Sequence, residues 1–323
     1  MPKKIAIIGA GVSGLTCGVL LAERGHTAII LADEIGQATT SAVAGAIWYP
    51  YDAEPATAVI AWALETYEVL ARLSRDPASG VSMLELRTFA RAGRIEIPAW
   101  ALELGARRLV LPDQARSGLT NHSGMAANFA SGFALIVPLT DSTIYLEYLS
   151  RRFSAAGGVV RGRTHLENLE QVPADFDLII NCAGIGARDL VGDTDLEPHR
   201  GQVAIIPKID MPYAVVCDDA PLKYAIPRSS DCLFGGTNDF SDSRAADPAD
   251  TSRIVAECSR VLQIKSPPVV AERVGLRPFR KSGVRVALDQ GRDGRAVIHN
   301  YGHGGSGFTL SWGCARSVVA LSV

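Results

Sequence analysis

The sequence predicts an α/β protein with two domains: one built on a parallel sheet, and a second of mostly antiparallel strands. A short apolar stretch at residues 5–8 runs directly into a glycine-rich turn. Segments with helical spacing of apolar residues alternate along the chain with short strand-like runs. The 323 residues are 47% hydrophobic and 20% charged, which is enough to bury the core of one large or two modest globular domains.

The N-terminal turn indicates the dinucleotide site. Gly9, Gly11 and Gly14 follow the first strand with the spacing of the dinucleotide-binding fingerprint. Gly9 allows a tight turn, Gly11 lets backbone N–H groups approach a pyrophosphate, and Gly14 lets the following helix pack closely on the strand. A second apolar strand at residues 27–31 ends beside Asp33, which is placed to bind a ribose 2′-hydroxyl and argues against a 2′-phosphate. We therefore predict a Rossmann-like unit whose helix N-terminus faces the phosphates.

The next part of the chain is predicted to leave this unit. A small-residue run at 42–50 ends in Trp48-Tyr49-Pro50 and should lie buried against something flat. Pro55 begins a helix that breaks at 76–80. Residues 84–89, 94–97 and 126–137 are then expected as antiparallel strands. The following helix, capped at Thr140 or Asp141, is expected to turn Ile144, Tyr148, Leu149 and Phe153 inward.

Along the rest of the chain, segments of the dinucleotide-binding domain alternate with segments of the antiparallel domain, so both domains should be discontinuous. Strands are expected at 159–160, 176–182, 201–206, 213–217, 224–226, 232–234, 284–288 and 296–299, and helices over 247–262 and at the C-terminus. The cofactor domain would then take residues 1–47, 139–195 and 283–323, and the substrate domain residues 48–138 and 196–282.

Charge and cysteine usage limit the function classes. The net charge is −2 with acidic and basic residues interspersed, so we expect neither a nucleic-acid nor a membrane partner. The six cysteines show no CxxC and no close Cys/His pairing, which indicates unbridged thiols in a reducing compartment and no structural metal. We expect a cytoplasmic protein that forms a homodimer.

A second glycine-rich turn lies near the C-terminus. The strand predicted at 296–299 is followed by Gly302, Gly304, Gly305 and Gly307, and a helix begins there. Its exposed N-terminal N–H groups favour negative charge on a bound group. On composition alone, a glycine-rich packing turn is the alternative interpretation.

This region resembles the C-terminal signature of the D-amino-acid oxidases, a family of FAD-dependent enzymes. The similarity begins with His299-Asn300-Tyr301-Gly302-His303-Gly304-Gly305 and continues with Gly307 and Trp312-Gly313-Cys314-Ala315. It extends over essentially the whole chain, through residues 32–33, 39–41, 44–48, 181–184, 200–202, 224–227 and 275–278.

The resemblance implies that FAD is the dinucleotide. The isoalloxazine ring would be the flat partner of the run at 42–50. By resemblance, the cofactor contacts are Gly9, Gly11, Val12, Ser13, Gly14, Asp33, Thr39, Thr40, Ser41, Gly45, Ala46, Ile47, Leu166, Ala183, Gly184, Gly302, Gly304, Gly305, Ser306, Gly307, Phe308 and Thr309.

The resemblance also implies a chemistry in which positioning does most of the work, because the substrate Cα–H is held over the flavin nitrogen that accepts hydride. Arg277 would bind the substrate carboxylate bidentately. Tyr224 would donate a second hydrogen bond to it, and the Gly305 carbonyl would accept one from the amine. The side-chain wall of the substrate pocket would comprise Ile47, Tyr49, Val215, Asn238 and Ser306.

The expected activity is oxidation of neutral D-amino acids to 2-oxo acids with release of ammonia and hydrogen peroxide. None of the five wall residues is cationic, so an acidic substrate would bury an unpaired carboxylate. Arg228 is the residue that could overturn this expectation by entering the pocket. Oxidation of glycine or N-methyl amino acids is the alternative within the fold. A flavin reductase or electron-transfer protein is the alternative from another class, and a silent binding protein is disfavoured because Arg277 and Tyr224 are both present.

Overall fold

The computed structural model describes residues 1–111, 129–217, 219 and 222–323. Two sheets organise these residues. The strands are β1 (Lys4–Ile8), β2 (Thr27–Leu31), β3 (Val81–Ala90), β4 (Arg107–Arg108), β5 (Ser131–Thr140), β6 (Val159–Arg161), β7 (Leu178–Asn181), β8 (Leu196–Pro207), β9 (Tyr213–Cys217), β10 (Lys223–Pro227), β11 (Asp231–Gly235), β12 (Asp239–Phe240), β13 (Ala271–Arg280), β14 (Arg285–Gln290) and β15 (Ala296–Tyr301).

The described helices pack on and between these sheets. They are α1 (Val12–Ala22), α2 (Thr40–Val43), α3 (Ala56–Leu73), α4 (Ala99–Glu103), α5 (Ser142–Ala155), α6 (Ala187–Leu190), α7 (Pro248–Leu262) and α8 (Gly307–Leu321). Among the residues that can be described, no helix combines the length and apolarity needed to cross a bilayer.

The first sheet has the order β14-β15-β7-β1-β2-β6. Its neighbouring strands run parallel except at the edge, where β14 is antiparallel to β15. The central strand β1 is a continuous apolar run because helices and loops cover both of its faces, and Ile5 and Ile7 are completely buried. The carboxyl ends of β1 and β7 form the crevice in which such sheets bind ligands.

The second sheet has the order β12-β8-β11-β10-β9-β3-β5-β4, and β13 also pairs with β8. All its pairings are antiparallel except that of β3 with β9. The predicted α/β class, with a Rossmann-like sheet and a mostly antiparallel one, is therefore confirmed. The first sheet draws on residues 4–31, 159–181 and 285–301, and the second on residues 81–140 and 196–280. The domain boundaries themselves stay a prediction.

Three local predictions were wrong or incomplete. Residues 94–97 form no strand, because side chains satisfy the backbone of Ile95: its N–H donates to Ser131 Oγ at 2.7 Å and its carbonyl accepts from Arg108 Nη1 at 3.0 Å. In α5 the buried face includes Tyr145, whereas Ile144 is exposed. Strand β13 was not predicted. The start of the strand expected at 126–137 lies outside the described residues.

Candidate active site

A cavity of about 780 Å³ lies between the two sheets. It reaches from the carboxyl end of β1, past Asp33 at one side, to Tyr224 and Arg277 on the second sheet. Its volume falls within the range of small-molecule and cofactor sites. The predicted cofactor residues that line it are Gly9, Gly11, Val12, Ser13, Asp33, Thr39, Thr40, Ser41, Gly45, Ala46, Ile47, Leu166, Ala183, Gly184, Gly304, Gly305, Gly307, Phe308 and Thr309.

The N-terminal glycine turn is packed so tightly that side chains are excluded. Gly9 has a φ of 102°, and a Cβ there would lie 2.4 Å from the Cys182 carbonyl oxygen. A Cβ at Gly14 would lie 1.9 Å from the Gly9 carbonyl oxygen, so Gly14 serves helix–strand packing and stands behind the cavity wall. The side chain of Ser41 reaches this turn, where its Oγ accepts from the Val12 N–H at 3.0 Å. The turn thus forms a backbone cradle at the start of α1, suited to a diphosphate.

Charged residues from both sheets meet at the Asp33 end of the cavity. Asp33 is exposed, and its Oδ2 lies 3.0 Å from His165 Nδ1. Arg244, from the loop after β12, donates to Glu34 at 3.0 Å, so the second sheet reaches across to the end of β2. Arg188 and Asp242 form a second ion pair at 3.0 Å. No local sequence signal indicates these pairs, because their members lie far apart in the chain.

The small-residue run opens onto the cavity on one side and packs on the second sheet on the other. A Cβ at Gly45 would lie 2.7 Å from Ile226 Cδ1, and Ala46 adopts a positive φ of 48°. Trp48 is buried, and its indole N–H donates to the Ala63 carbonyl at 2.9 Å. Residues 44–46 of the run therefore present backbone and small side chains to the cavity, as a flat ligand requires.

The C-terminal glycine turn forms the opposite wall. Gly304 has a φ of 52°, and a Cβ there would lie 1.8 Å from the Asp52 carbonyl oxygen. A Cβ at Gly305 would lie 2.6 Å from Tyr51 Cδ1. Burial lowers the pKa of His303 to about 4, so its imidazole is neutral at neutral pH. The N-terminus of α8 is then the positive end of this turn.

Arg277 and Tyr224 meet at the far end of the cavity. Arg277 Nη1 donates to the Thr237 carbonyl and to Asn238 Oδ1, both at 2.9 Å. Burial raises the pKa of Tyr224 above its ordinary value, against the opposing influence of the neighbouring Arg277 guanidinium. The Tyr224 ring lies on the backbone of Gly235, where a Cβ would come within 2.0 Å of Cζ.

A buried polar network fixes the segment that holds Arg277. Thr237 Oγ accepts from the Gln202 N–H at 2.9 Å and donates to the Arg200 carbonyl at 3.1 Å. The Arg200 guanidinium donates to Asp250 at 3.1 Å and to the Ala245 carbonyl at 2.7 Å. Because each polar group has a partner, the network is stable when buried and restricts the positions open to Arg277.

The structure separates the five predicted wall residues. Ile47 and Tyr49 line the cavity. Val215 does not, because successive side chains of a strand point to opposite faces, and on β9 the neighbouring Val216 faces the cavity. Asn238 stands behind the wall and contacts Arg277 instead.

Ser306 and Gly302 are also absent from the described cavity wall. The Ser306 hydroxyl is buried and accepts from the Tyr51 N–H at 2.7 Å, so it anchors the loop that carries Tyr51. Arg228 does not enter the pocket either. Its guanidinium donates twice to Asp231, at 2.6 and 2.8 Å.

The described part of the chain holds neither a metal-binding cluster nor a disulfide. No group of three or more His, Cys, Asp or Glu residues is placed there to hold a metal ion. The six cysteines, which all fall in that part, are buried and none forms a disulfide.

Comparisons with known proteins match the whole chain. A sequence model of the family described as FAD dependent oxidoreductase, DAO, covers residues 4–321. The chain is 35% identical over 323 residues to a D-amino-acid oxidase of Rubrobacter xylanophilus, covering 99% of this chain and 95% of the relative. It is 36% identical over 327 residues to a D-amino-acid oxidase of Streptomyces coelicolor, covering 99% and 96%. The glycine oxidase structure from Geobacillus kaustophilus superposes with a TM-score of 0.80 at 17% identity, covering 99% of this chain and 94% of that one.

Proposed function

The chain belongs to the DAO family of FAD-dependent oxidoreductases, and we propose that it oxidises neutral D-amino acids to 2-oxo acids and ammonia. The observation that carries this proposal is the Arg277 guanidinium beside Tyr224 at one end of the cavity, far from the charged residues that meet at the Asp33 end. A guanidinium fork matches a carboxylate, and a substrate held there extends toward the C-terminal glycine turn.

The cavity fits FAD. The cradle at Gly9 and Gly11 would hold the pyrophosphate, Asp33 the ribose, and the run from Ala44 to Ile47 one face of the ring. Bound FAD supplies the acceptor for the hydride that leaves the substrate Cα. Everything else in the reaction is positioning by the protein's own side chains and backbone.

Arg277 is proposed to bind the carboxylate of the substrate. One of its nitrogens, Nη1, already donates to Thr237 and Asn238, which fixes the plane of the guanidinium. A guanidinium has five N–H donors, so donors remain for the two carboxylate oxygens. Tyr224, beside it, would add its hydroxyl donor because its raised pKa keeps it protonated.

The substrate amine would face the Gly305 carbonyl, and the side chain would lie against Ile47, Tyr49 and Tyr51 with Val216 and Leu222. These groups are apolar or aromatic. At the opposite end, Arg188 and Arg244 are paired with acids, and Arg228 is held by Asp231 away from the cavity. Among the residues that the structure describes, a second carboxylate on the substrate would meet no unpaired cation here, and an unpaired buried charge costs several kcal/mol.

We further propose oxygen as the final acceptor with release of hydrogen peroxide, and a homodimeric protein in the cytoplasm. The FAD-binding domain would comprise residues 1–47, 139–195 and 283–323, and the substrate-binding domain residues 48–138 and 196–282.

The test is a panel of amino acids at one concentration, with hydrogen-peroxide release as the readout. D-alanine, D-methionine and D-phenylalanine should react much faster than D-aspartate, D-glutamate, glycine or N-methylglycine. D-aspartate at the top of the panel would refute the neutral-pocket proposal. Glycine or N-methylglycine at the top would favour the alternative oxidase activity instead.

Arg277→Leu is the matched loss-of-function variant. Removing one member of a buried charge pair costs about 2–5 kcal/mol, which is roughly thirty- to several-thousand-fold in kcat/KM. The variant should keep the flavin absorbance spectrum of the unaltered protein. Wild-type activity in Arg277→Leu would show that the carboxylate binds elsewhere.

A further inference from the structure

We infer that Asp52 and His199 are positioning residues: together they hold Tyr51 in the cavity wall and thereby set how well the pocket accepts a bulky substrate side chain. This inference rests on the proposed function for its kinetic consequence. Its structural content, that the pair anchors the loop of residues 49–53, stands on geometry alone.

The two side chains form a pair that is shielded from solvent. His199 Nδ1 lies 3.0 Å from Asp52 Oδ2, and the side chains are 18% and 13% exposed. An ionised carboxylate can only accept, so the imidazole donates this hydrogen bond. His199 also stacks on Phe279, with ring centroids 4.4 Å apart and planes at 11°. The ring is therefore fixed on one face, and its nitrogen is aimed at the loop.

His199 lies on the same pair of strands as the proposed carboxylate site. It lies on β8 directly opposite Arg277 of β13, and Phe279 follows Arg277 by two residues on the same face of that strand. One strand pair therefore carries both the proposed carboxylate anchor and the anchor of the loop.

The opposite side of the loop is fastened to the glycine turn and to α8. The Tyr51 N–H donates to Ser306 Oγ at 2.7 Å, and the Tyr49 N–H donates to Thr309 Oγ1 at 3.2 Å. The Asp52 carbonyl lies against Gly304, and the Tyr51 ring lies against Gly305. Tyr51 is thus held on the α8 side by the hydrogen bond of its own backbone N–H. On the β8 side it is held through the next residue, Asp52, which pairs with His199.

The backbone conformation of Asp52 is strained, and the loop of residues 49–53 would relieve this strain by moving. Its φ is 53°, in the left-handed region that most side chains avoid and that Asp and Asn tolerate best. The hydrogen bond to His199 offsets this local cost. Without it, the loop can relax toward ordinary φ values, and Tyr51 would leave its place against Gly305. Neither Asp52 nor His199 lines the described cavity, so any effect on substrate passes through Tyr51.

The test uses the FAD-loaded protein and distinguishes the effect of the Asp52 carboxylate from that of its backbone conformation. Asp52→Gly removes the carboxylate yet permits a positive φ, and Asp52→Asn keeps both the φ preference and an acceptor oxygen. Gln263→Gly is the matched control, because Gln263 also has a positive φ of 56° and lies at the end of α7. Backbone amide exchange of residues 49–53, followed by mass spectrometry, reports the anchoring without any need for turnover.

In Asp52→Gly, exchange at residues 49–53 should be faster than in the unaltered protein. KM for D-phenylalanine should rise about tenfold while that for D-alanine changes less than about threefold, because a misplaced wall reaches only the larger side chain. Asp52→Asn should restore most of both properties, and Gln263→Gly should leave both unchanged. Unchanged exchange in Asp52→Gly, or equal KM changes for both substrates, would overturn the inference. An unaltered protein that oxidises no amino acid would refute the proposed function, whereas the exchange result would still decide whether the pair anchors the loop.

Discussion

Gly201→Ala is expected to disable the carboxylate site although Arg277 itself is not replaced. Gly201 lies within β8, and its φ is not in the left-handed region, so alanine fits the backbone. The added Cβ would stand 2.4 Å from Arg277 Nη2 and 2.5 Å from Cζ, whereas ordinary contacts begin at about 3.4 Å. The guanidinium must therefore retreat by roughly 1 Å, which breaks the two 2.9 Å hydrogen bonds from Nη1.

A displacement of about 1 Å in a positioning group costs on the order of 100-fold, or about 2.7 kcal/mol of transition-state stabilisation. The assay is the initial rate of D-alanine oxidation, with FAD content measured on the same preparation. Gly162→Ala is the control, because the atoms nearest to its Cβ would belong to the Ile35 side chain, the closest at 3.2 Å, and none to Arg277. Wild-type kcat/KM in Gly201→Ala would refute the proposed role of the Arg277 guanidinium in its present position. Loss of FAD together with activity would instead indicate general damage to the fold.

Three further predictions concern Tyr224, Asp33 and Glu257. Tyr224→Phe should lower kcat/KM by about 1 kcal/mol, or roughly fivefold, because one hydrogen bond is lost and the guanidinium stays; a loss as large as that of Arg277→Leu would contradict this. Asp33→Ala should weaken FAD binding by about 1–3 kcal/mol in equilibrium dialysis, and unchanged affinity would show that Asp33 makes no ribose contact. Lys223, at 2.8 Å, and then Arg260 lower the pKa of Glu257 to about 2, from 4.5. Because the folded-state pKa is depressed, the stability that Glu257 contributes is present above about pH 4.5 and is lost as the pH falls toward about 2. The Tm of Glu257→Gln should therefore fall less on acidification than the Tm of the unaltered protein. Parallel curves of Tm against pH for the two proteins would refute this.

Much of the cofactor half followed from the sequence because its signals are local. The turn at Gly9 and the strand before it are specified by neighbouring residues, and the structure places them as predicted. Strand β13 was missed because Gly275 and Pro278 weaken its local strand pattern, and its pairing with β8 supplies what propensity does not. Val215 was predicted to face the pocket, but its neighbour Val216 does. A shift of one residue exchanges the two faces of a strand, and only the pairing of β9 in the sheet determines which face points to the cavity.

The substrate half depends on contacts between distant residues. Asp52 and His199 are separated by 147 positions, so no motif joins them. Ser306 was assigned to the pocket by resemblance, yet its hydroxyl is used by the backbone of Tyr51. To predict which residues line the pocket, one must know how the two sheets pack against each other, and the residue pattern alone does not determine this.

Hydride transfer from a D-amino acid to the protein's own FAD is the step on which the proposed function depends. The most direct measurement mixes the purified FAD-loaded protein with D-alanine in the absence of oxygen and records the flavin absorbance. We expect the yellow absorbance to bleach with D-alanine and to remain unchanged with L-alanine or a reduced nicotinamide dinucleotide. Bleaching by the nicotinamide dinucleotide, with none from any D-amino acid, would contradict the account and identify a reductase instead.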